Sequence, residues 1–212
     1  RPVAIKLLRP GLATTPSARE RFQREAKAQA AVRHRHVAPL HQVGEHHGTL
    51  FLVMPLLDGE TLADRLTRGP LPVSEVLRIG KEIADGLAAA HAQNLIHRDV
   101  KPGNVWLSGP EGTVLLLDFG VARVLHDHPE AAKLTHTGAM IGTPAYMAPE
   151  QAAGEAVDAR ADLFALGVVL YETATGVNPF RGETMYAILT AIATRTPDDP
   201  TAVRPDVPFA LA

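Results

Sequence analysis

The sequence contains no cysteine, which excludes disulfide frameworks, thiolate zinc sites and cysteine nucleophiles. No apolar run approaches the roughly 18 residues needed to cross a bilayer, and no charged-then-apolar leader marks secretion. Neither sign of charge dominates: Lys plus Arg is 21, Asp plus Glu is 23, and the formal net charge is -2. That balance supplies no basic stripe, so nucleic acid is not an expected partner. The expected compartment is the cytoplasm, with no membrane contact from this segment and any anchor in the parent lying outside it. What is present is a globular composition, 46% hydrophobic and 21% charged over 212 residues. That is room for one large domain or two small lobes around a sizeable core.

The first residue is Arg1, not Met, and Val3 to Leu8 already reads as a buried strand. No capping or terminal signal accompanies Pro208 to Ala212. The expectation is an internal fragment of a longer protein.

Ser17 and Glu20 form a Ser-x-x-Glu capping box, which predicts a helix from there to about Val32. Short strands are expected at Val37 to Val43 and Leu50 to Met54, then a short helix from Thr61 to Thr67. Val76, Ile79, Ile83, Leu87 and Ala90 recur at helical spacing and predict a long helix from Val73 to Gln93. Val105 to Leu107 and Val114 to Leu117 read as strands around a turn at 109–112. Residues 121–145 have no period and are expected to form a long functional loop. Ala161 to Thr175 is apolar nearly all round and predicts a buried helix, and Thr184 to Thr194 predicts a last one. Strands first and helices later give an α+β layout with a small sheet-containing lobe and a larger helical lobe.

The chemistry gathers in two loops. His97-Arg98-Asp99-Val100-Lys101-Pro102-Gly103-Asn104 follows the long helix, and Asp118-Phe119-Gly120 follows a strand. Two carboxylates, one Lys and one Asn amide thus fall in neighbouring strand-end loops. Oxygen ligands of this kind suit magnesium, which takes one or two carboxylates together with phosphate oxygens. A carboxylate left free of metal can orient and deprotonate a hydroxyl, and a Lys can neutralise phosphate charge. Phosphoryl transfer needs little more.

Val3-Ala4-Ile5-Lys6, the H-R-D-x-K-x-x-N loop, Asp118-Phe119-Gly120 and Ala148-Pro149-Glu150 stand in the order of the eukaryotic-like protein kinase signature. The chain resembles that family over essentially its whole length. Residues Gly142 to Gln151 and Asp162 to Gly167 resemble its bacterial Ser/Thr (Hanks-type) branch, and Lys101, two residues after Asp99, is the Ser/Thr pattern.

The resemblance implies a two-lobed kinase-like fold: 1–54 an incomplete small lobe, 55–59 the hinge, and 60–212 an incomplete large lobe. It further implies that Lys6 holds the α- and β-phosphates of ATP and pairs with Glu25, with Glu20 serving as a cap. Asp99 is then the catalytic base, Lys101 the γ-phosphate contact, and Asn104 and Asp118 the Mg2+ ligands. Met54 resembles the gatekeeper, Leu57 is one of the hinge residues facing adenine, and Ala4 and Trp106 match the positions that sandwich the ring. Thr135 and Thr137 resemble paired activation-loop phosphosites that would engage Arg98, and Thr143 a platform contact to Asp99 and Lys101.

Plainer roles fit other residues better. His97 is expected to lie beneath the Phe119 ring, and Asp162 to anchor the catalytic-loop backbone. His34, His36, His41, His46 and His47 match no zinc spacing. The chain also departs from the family pattern. It has no G-x-G-x-x-G lid, the usual Arg partner of Glu150 is not within the sequence, and polar Gln29 occupies a position that is normally apolar.

The expected activity is ATP-dependent, magnesium-assisted phosphorylation of protein Ser/Thr hydroxyls, with a dimer for autophosphorylation. The isolated segment is expected to be inactive. The rivals are a pseudokinase scaffold and a small-molecule phosphotransferase.

Overall fold

The structure, a computed structural model, describes residues 2–8, 15–119 and 144–208. Helix α1 spans Pro16–Ala31 and is capped by Thr15, whose hydroxyl accepts from the Ala18 amide at 3.2 Å. Ser17 is therefore not the cap and Glu20 lies exposed in the first turns. Pro16 explains the shift, because its missing N–H and preset φ favour the first helical position.

Strand β1 (Val3–Leu7) pairs antiparallel with β3 (Thr49–Pro55), which pairs antiparallel with β2 (Gln42–His46), in the order β1-β3-β2. The expected burial of β1 is only partly met. Val3, Ile5 and Leu7 point outward and are exposed, whereas Leu8 joins a core of Ala18, Phe22, Ala26, Leu40, Leu50 and Leu52. The strand expected at Val37–Val43 forms only from residue 42 onward. Val37 instead makes a parallel bridge to Leu116, and the Ala38 amide donates to the Leu116 carbonyl at 2.9 Å. This segment binds the two lobes together.

The larger lobe opens with β4 (Gly59–Thr61) and the Thr61-capped α2 (Leu62–Leu66). Next come α3 (Val73–His91) and the hairpin of β5 (Val105–Ser108) and β6 (Thr113–Leu116). β4 was not foreseen; it joins β5 to give the order β4-β5-β6. Helices α4 (Pro149–Ala153), α5 (Arg160–Thr175), α6 (Met185–Thr194) and α7 (Pro200–Val203) complete the described residues. The core runs along the apolar stripe of α3, through Val76, Ile79, Ile83 and Leu87, to Val105, Leu116, Phe119 and Val169. Gly86 lets the inter-lobe segment approach α3, since a Cβ there would come within 2.9 Å of the His36 carbonyl oxygen. Among the described residues, no helix is long and apolar enough to cross a membrane.

Candidate active site

The loop between α3 and β5 is built on a single buried carboxylate. Asp162, on α5 and 1% exposed, accepts from the amides of His97 at 2.8 Å and Arg98 at 2.7 Å. His91, at the end of α3, reaches the same carboxylate through Nε2 at 2.7 Å. These contacts hold Arg98 at φ 63, a left-handed conformation that costs a non-glycine residue about 1–3 kcal/mol and persists where its surroundings fix it. Asp162 is thus the anchor expected from the sequence. The His91 contact was not foreseen, because nothing in the spacing links positions 71 residues apart.

His97 is fully buried, and its ring centroid lies 4.5 Å from that of Phe119. Nε2 donates to the Leu117 carbonyl at 2.9 Å, and Nδ1 accepts from the Asp99 amide at 3.3 Å. Those partners require the neutral ring, and burial lowers its pKa. The histidine is a structural support.

Asp99 is partly exposed. Its Oδ2 accepts from Lys101 Nζ at 2.6 Å and from Asn104 Nδ2 at 2.8 Å. Asn104 Nδ2 also donates to the Asp99 carbonyl at 2.8 Å. Among the described residues, Asp99 Oδ1 has no hydrogen-bond partner and remains available to a hydroxyl. The Leu117 amide donates to the Asn104 carbonyl at 2.9 Å, fastening the first loop to the strand end that carries Asp118. Asp118 follows β6 at φ 55, a second left-handed non-glycine position beside the first. Its Oδ2 forms an ion pair with Lys6 Nζ at 2.5 Å.

Lys6, on β1, therefore meets Asp118 and not the expected partner Glu25. Glu25, on α1, faces the Arg98 guanidinium at 4.0 Å. Ala4 and Met54 are register partners across β1 and β3. Trp106, on β5, directs its indole N–H to the Asp58 carbonyl at 3.0 Å, just beyond half-buried Leu57. Thr135, Thr137 and Thr143 lie outside the described residues. Four of the five clustered histidines form two separate pairs, His34 with His36 and His46 with His47. His36 is committed to the Val114 carbonyl.

Beyond the loop, Tyr146 donates to Glu172 on α5 at 2.5 Å, and burial together with that carboxylate pushes its pKa up. Gln151 on α4 accepts from the Ala148 amide and donates to the Arg98 carbonyl, contacts that sequence reasoning did not identify. A side-chain oxygen three residues after Ala148 was the available signal for the first of these.

Residues 1–204 match the model of the protein kinase domain. The chain belongs to the protein kinase domain family. It is 42% identical over 193 residues to the serine/threonine-protein kinase PknB of Mycobacterium leprae, covering 89% of this chain and 30% of that protein. It is 39% identical over 212 residues to the serine/threonine-protein kinase Pkn1 of Myxococcus xanthus, covering 99% of this chain and 30% of that protein. The chain therefore spans about a third of the length of these kinases. The Mycobacterium tuberculosis PknI kinase domain superposes with a TM-score of 0.74 at 33% identity, over 97% of this chain and 72% of that one. The α+β, two-lobed kinase fold expected from the sequence is the fold observed. Protein kinases generally use ATP and Mg2+.

Proposed function

We propose that the protein containing this chain is a Ser/Thr protein kinase that transfers the γ-phosphoryl group of ATP to protein hydroxyls. The supporting observation is Asp99: one carboxylate oxygen is fixed by Lys101 and Asn104, and the other has no partner among the described residues. That free oxygen accepts the proton of a Ser or Thr hydroxyl as the hydroxyl oxygen attacks the γ-phosphorus. The bond to the β–γ bridging oxygen breaks and ADP leaves. Lys101, beside the base, balances charge on the transferred group.

Asn104 and Asp118 fit magnesium. Asn104 spends its amide nitrogen on Asp99, and among the described residues its Oδ1 has no hydrogen-bond partner and the Asp118 carboxylate engages only Lys6. Bound there, magnesium would neutralise phosphate charge. Lys6, with Glu25 as its partner once Asp118 is otherwise engaged, takes the α- and β-phosphates. Ala4, Met54, Leu57 and Trp106 take the adenine. Residues 1–54 act as the small lobe, 55–59 as the hinge and 60–212 as the large lobe. Thr135 and Thr137 receive phosphate from a second copy, and Thr143 supports the platform.

The test is incubation of the full-length protein with γ-labelled ATP and either protein or small-molecule hydroxyl acceptors, followed by phosphoamino-acid analysis. Label on Ser and Thr of protein supports this function. Label confined to small molecules identifies the phosphotransferase rival, and no label identifies a scaffold.

A further inference from the structure

The strained Arg98 peptide is held from both sides, and one of its holders has no part in the chemistry described above. On the amino side, the His97 and Arg98 amides donate to the two oxygens of Asp162 on α5. On the carbonyl side, Gln151 Nε2 on α4 donates to the Arg98 carbonyl at 3.1 Å. The other end of the same amide, Oε1, accepts from the Ala148 amide at 3.0 Å. The two contacts fix the amide orientation, because an N–H needs an acceptor and a carbonyl needs a donor. The flipped amide would set donor against donor and acceptor against acceptor. Ala148 is fully buried, so the contact begins from a fixed point at the start of the Pro149–Ala153 helix.

We propose that Gln151 is a positioning residue for the catalytic base, clasping the Arg98 carbonyl to the start of the α4 segment. The proposal rests on the assignment of Asp99 as that base. The Arg98 carbonyl belongs to the peptide that leads into Asp99, so fixing that carbonyl fixes the direction in which the Asp99 side chain leaves the backbone. Capping α4 requires only Oε1. The Nε2 contact does nothing for the cap, and it ties the segment following the platform to the residue before the base. Arg98 occupies a left-handed conformation, where a lost restraint lets the peptide relax toward ordinary backbone angles.

Gln151→Glu separates the two roles. It keeps an oxygen for the Ala148 amide and almost the same shape, but faces the Arg98 carbonyl with an acceptor. Gln151→Met removes both contacts at similar length. In the full-length protein, Gln151→Glu should keep a melting temperature close to wild type. It should lower kcat roughly tenfold or more, the sensitivity expected of a misplaced reacting group, with KM for ATP little changed. Amide hydrogen exchange should quicken at Arg98 and Asp99 while α3 is unaffected. Gln151→Met should show the same loop effect together with a lower melting temperature. Wild-type kcat and exchange in Gln151→Glu would reduce Gln151 to a helix cap and overturn the proposal, as would exchange quickened throughout α4 and α5 and not only at the loop. Absence of phosphate transfer by the wild type would instead overturn the kinase assignment. The exchange comparison would then still decide whether the clasp exists.

Discussion

Lys6 and Asp118 form an ion pair of 2.5 Å that joins the first strand of the small lobe to the loop after β6, with 44% and 29% of the two side chains exposed. A pair this open to water contributes little, about 0–1 kcal/mol. Triphosphate and a divalent cation can therefore displace it, the phosphates taking Lys6 and the cation taking Asp118. Asp118→Ala should weaken magnesium-dependent ATP binding by at least about tenfold, as loss of a principal carboxylate ligand implies. Chelation of magnesium should do the same to the wild type. Replacing His46 and His47 together should leave binding unchanged. Calorimetric titration measures all three, and an effect of the histidines without one of the aspartate would relocate the metal.

Gln29 shows the cost of a polar side chain in an apolar place. It is 4% exposed, and its buried Oε1 has no hydrogen-bond partner among the described residues. Gln29→Met keeps the shape and removes the unpaired oxygen, which should stabilise the protein by about 1 kcal/mol. For a domain of this size that is roughly 2–4 °C in melting temperature. A lower melting temperature would mean that the amide is satisfied in solution.

The two kinds of site residue differ in how legible they are from sequence. Asp99, Lys101, Asn104 and Asp118 could be singled out because each lies in a short motif at a strand end, where chain order alone makes them neighbours. Asp162 could be named as an anchor, but its bond to His91 links two helices distant in sequence, and no local period records it. The Lys6–Glu25 pair expected from family resemblance is replaced by Lys6–Asp118 and Arg98–Glu25. Motifs identify the charged groups, whereas the placement of α1 against the large lobe decides which of them meet. The long helix α3 was legible from apolar spacing, and α5 from a segment that is apolar nearly all round. β4, three residues long, carries too little pattern to be seen. At the start of α1, Pro16 overrode a capping box that was present in the sequence.

His97 makes stability depend on pH. Burial in a neutral, hydrogen-bonded state lowers its pKa in the fold below the ordinary value of 6.5, although the nearby Asp162 and Asp99 partly oppose the shift. As pH falls, the unfolded chain therefore takes up this proton first. The contribution is complete above about pH 6.5 and is lost as pH drops from there toward the folded-state pKa, at up to ~1.4 kcal/mol per pH unit. Chemical denaturation between pH 5 and about 7.5 should show this slope in the wild type and a flatter one in His97→Asn. Equal slopes would show that the ring is protonated in the fold or does not govern acid stability.

The central claim is that Asp99 is the base of a phosphoryl transfer to protein hydroxyls. Its most direct test is single-turnover transfer from γ-labelled ATP to a protein acceptor, comparing the full-length wild type with Asp99→Asn. The asparagine preserves shape and leaves ATP binding intact but cannot take the proton, so transfer should slow by about 10²- to 10⁴-fold at unchanged nucleotide affinity. Transfer at the wild-type rate in Asp99→Asn would contradict the assignment.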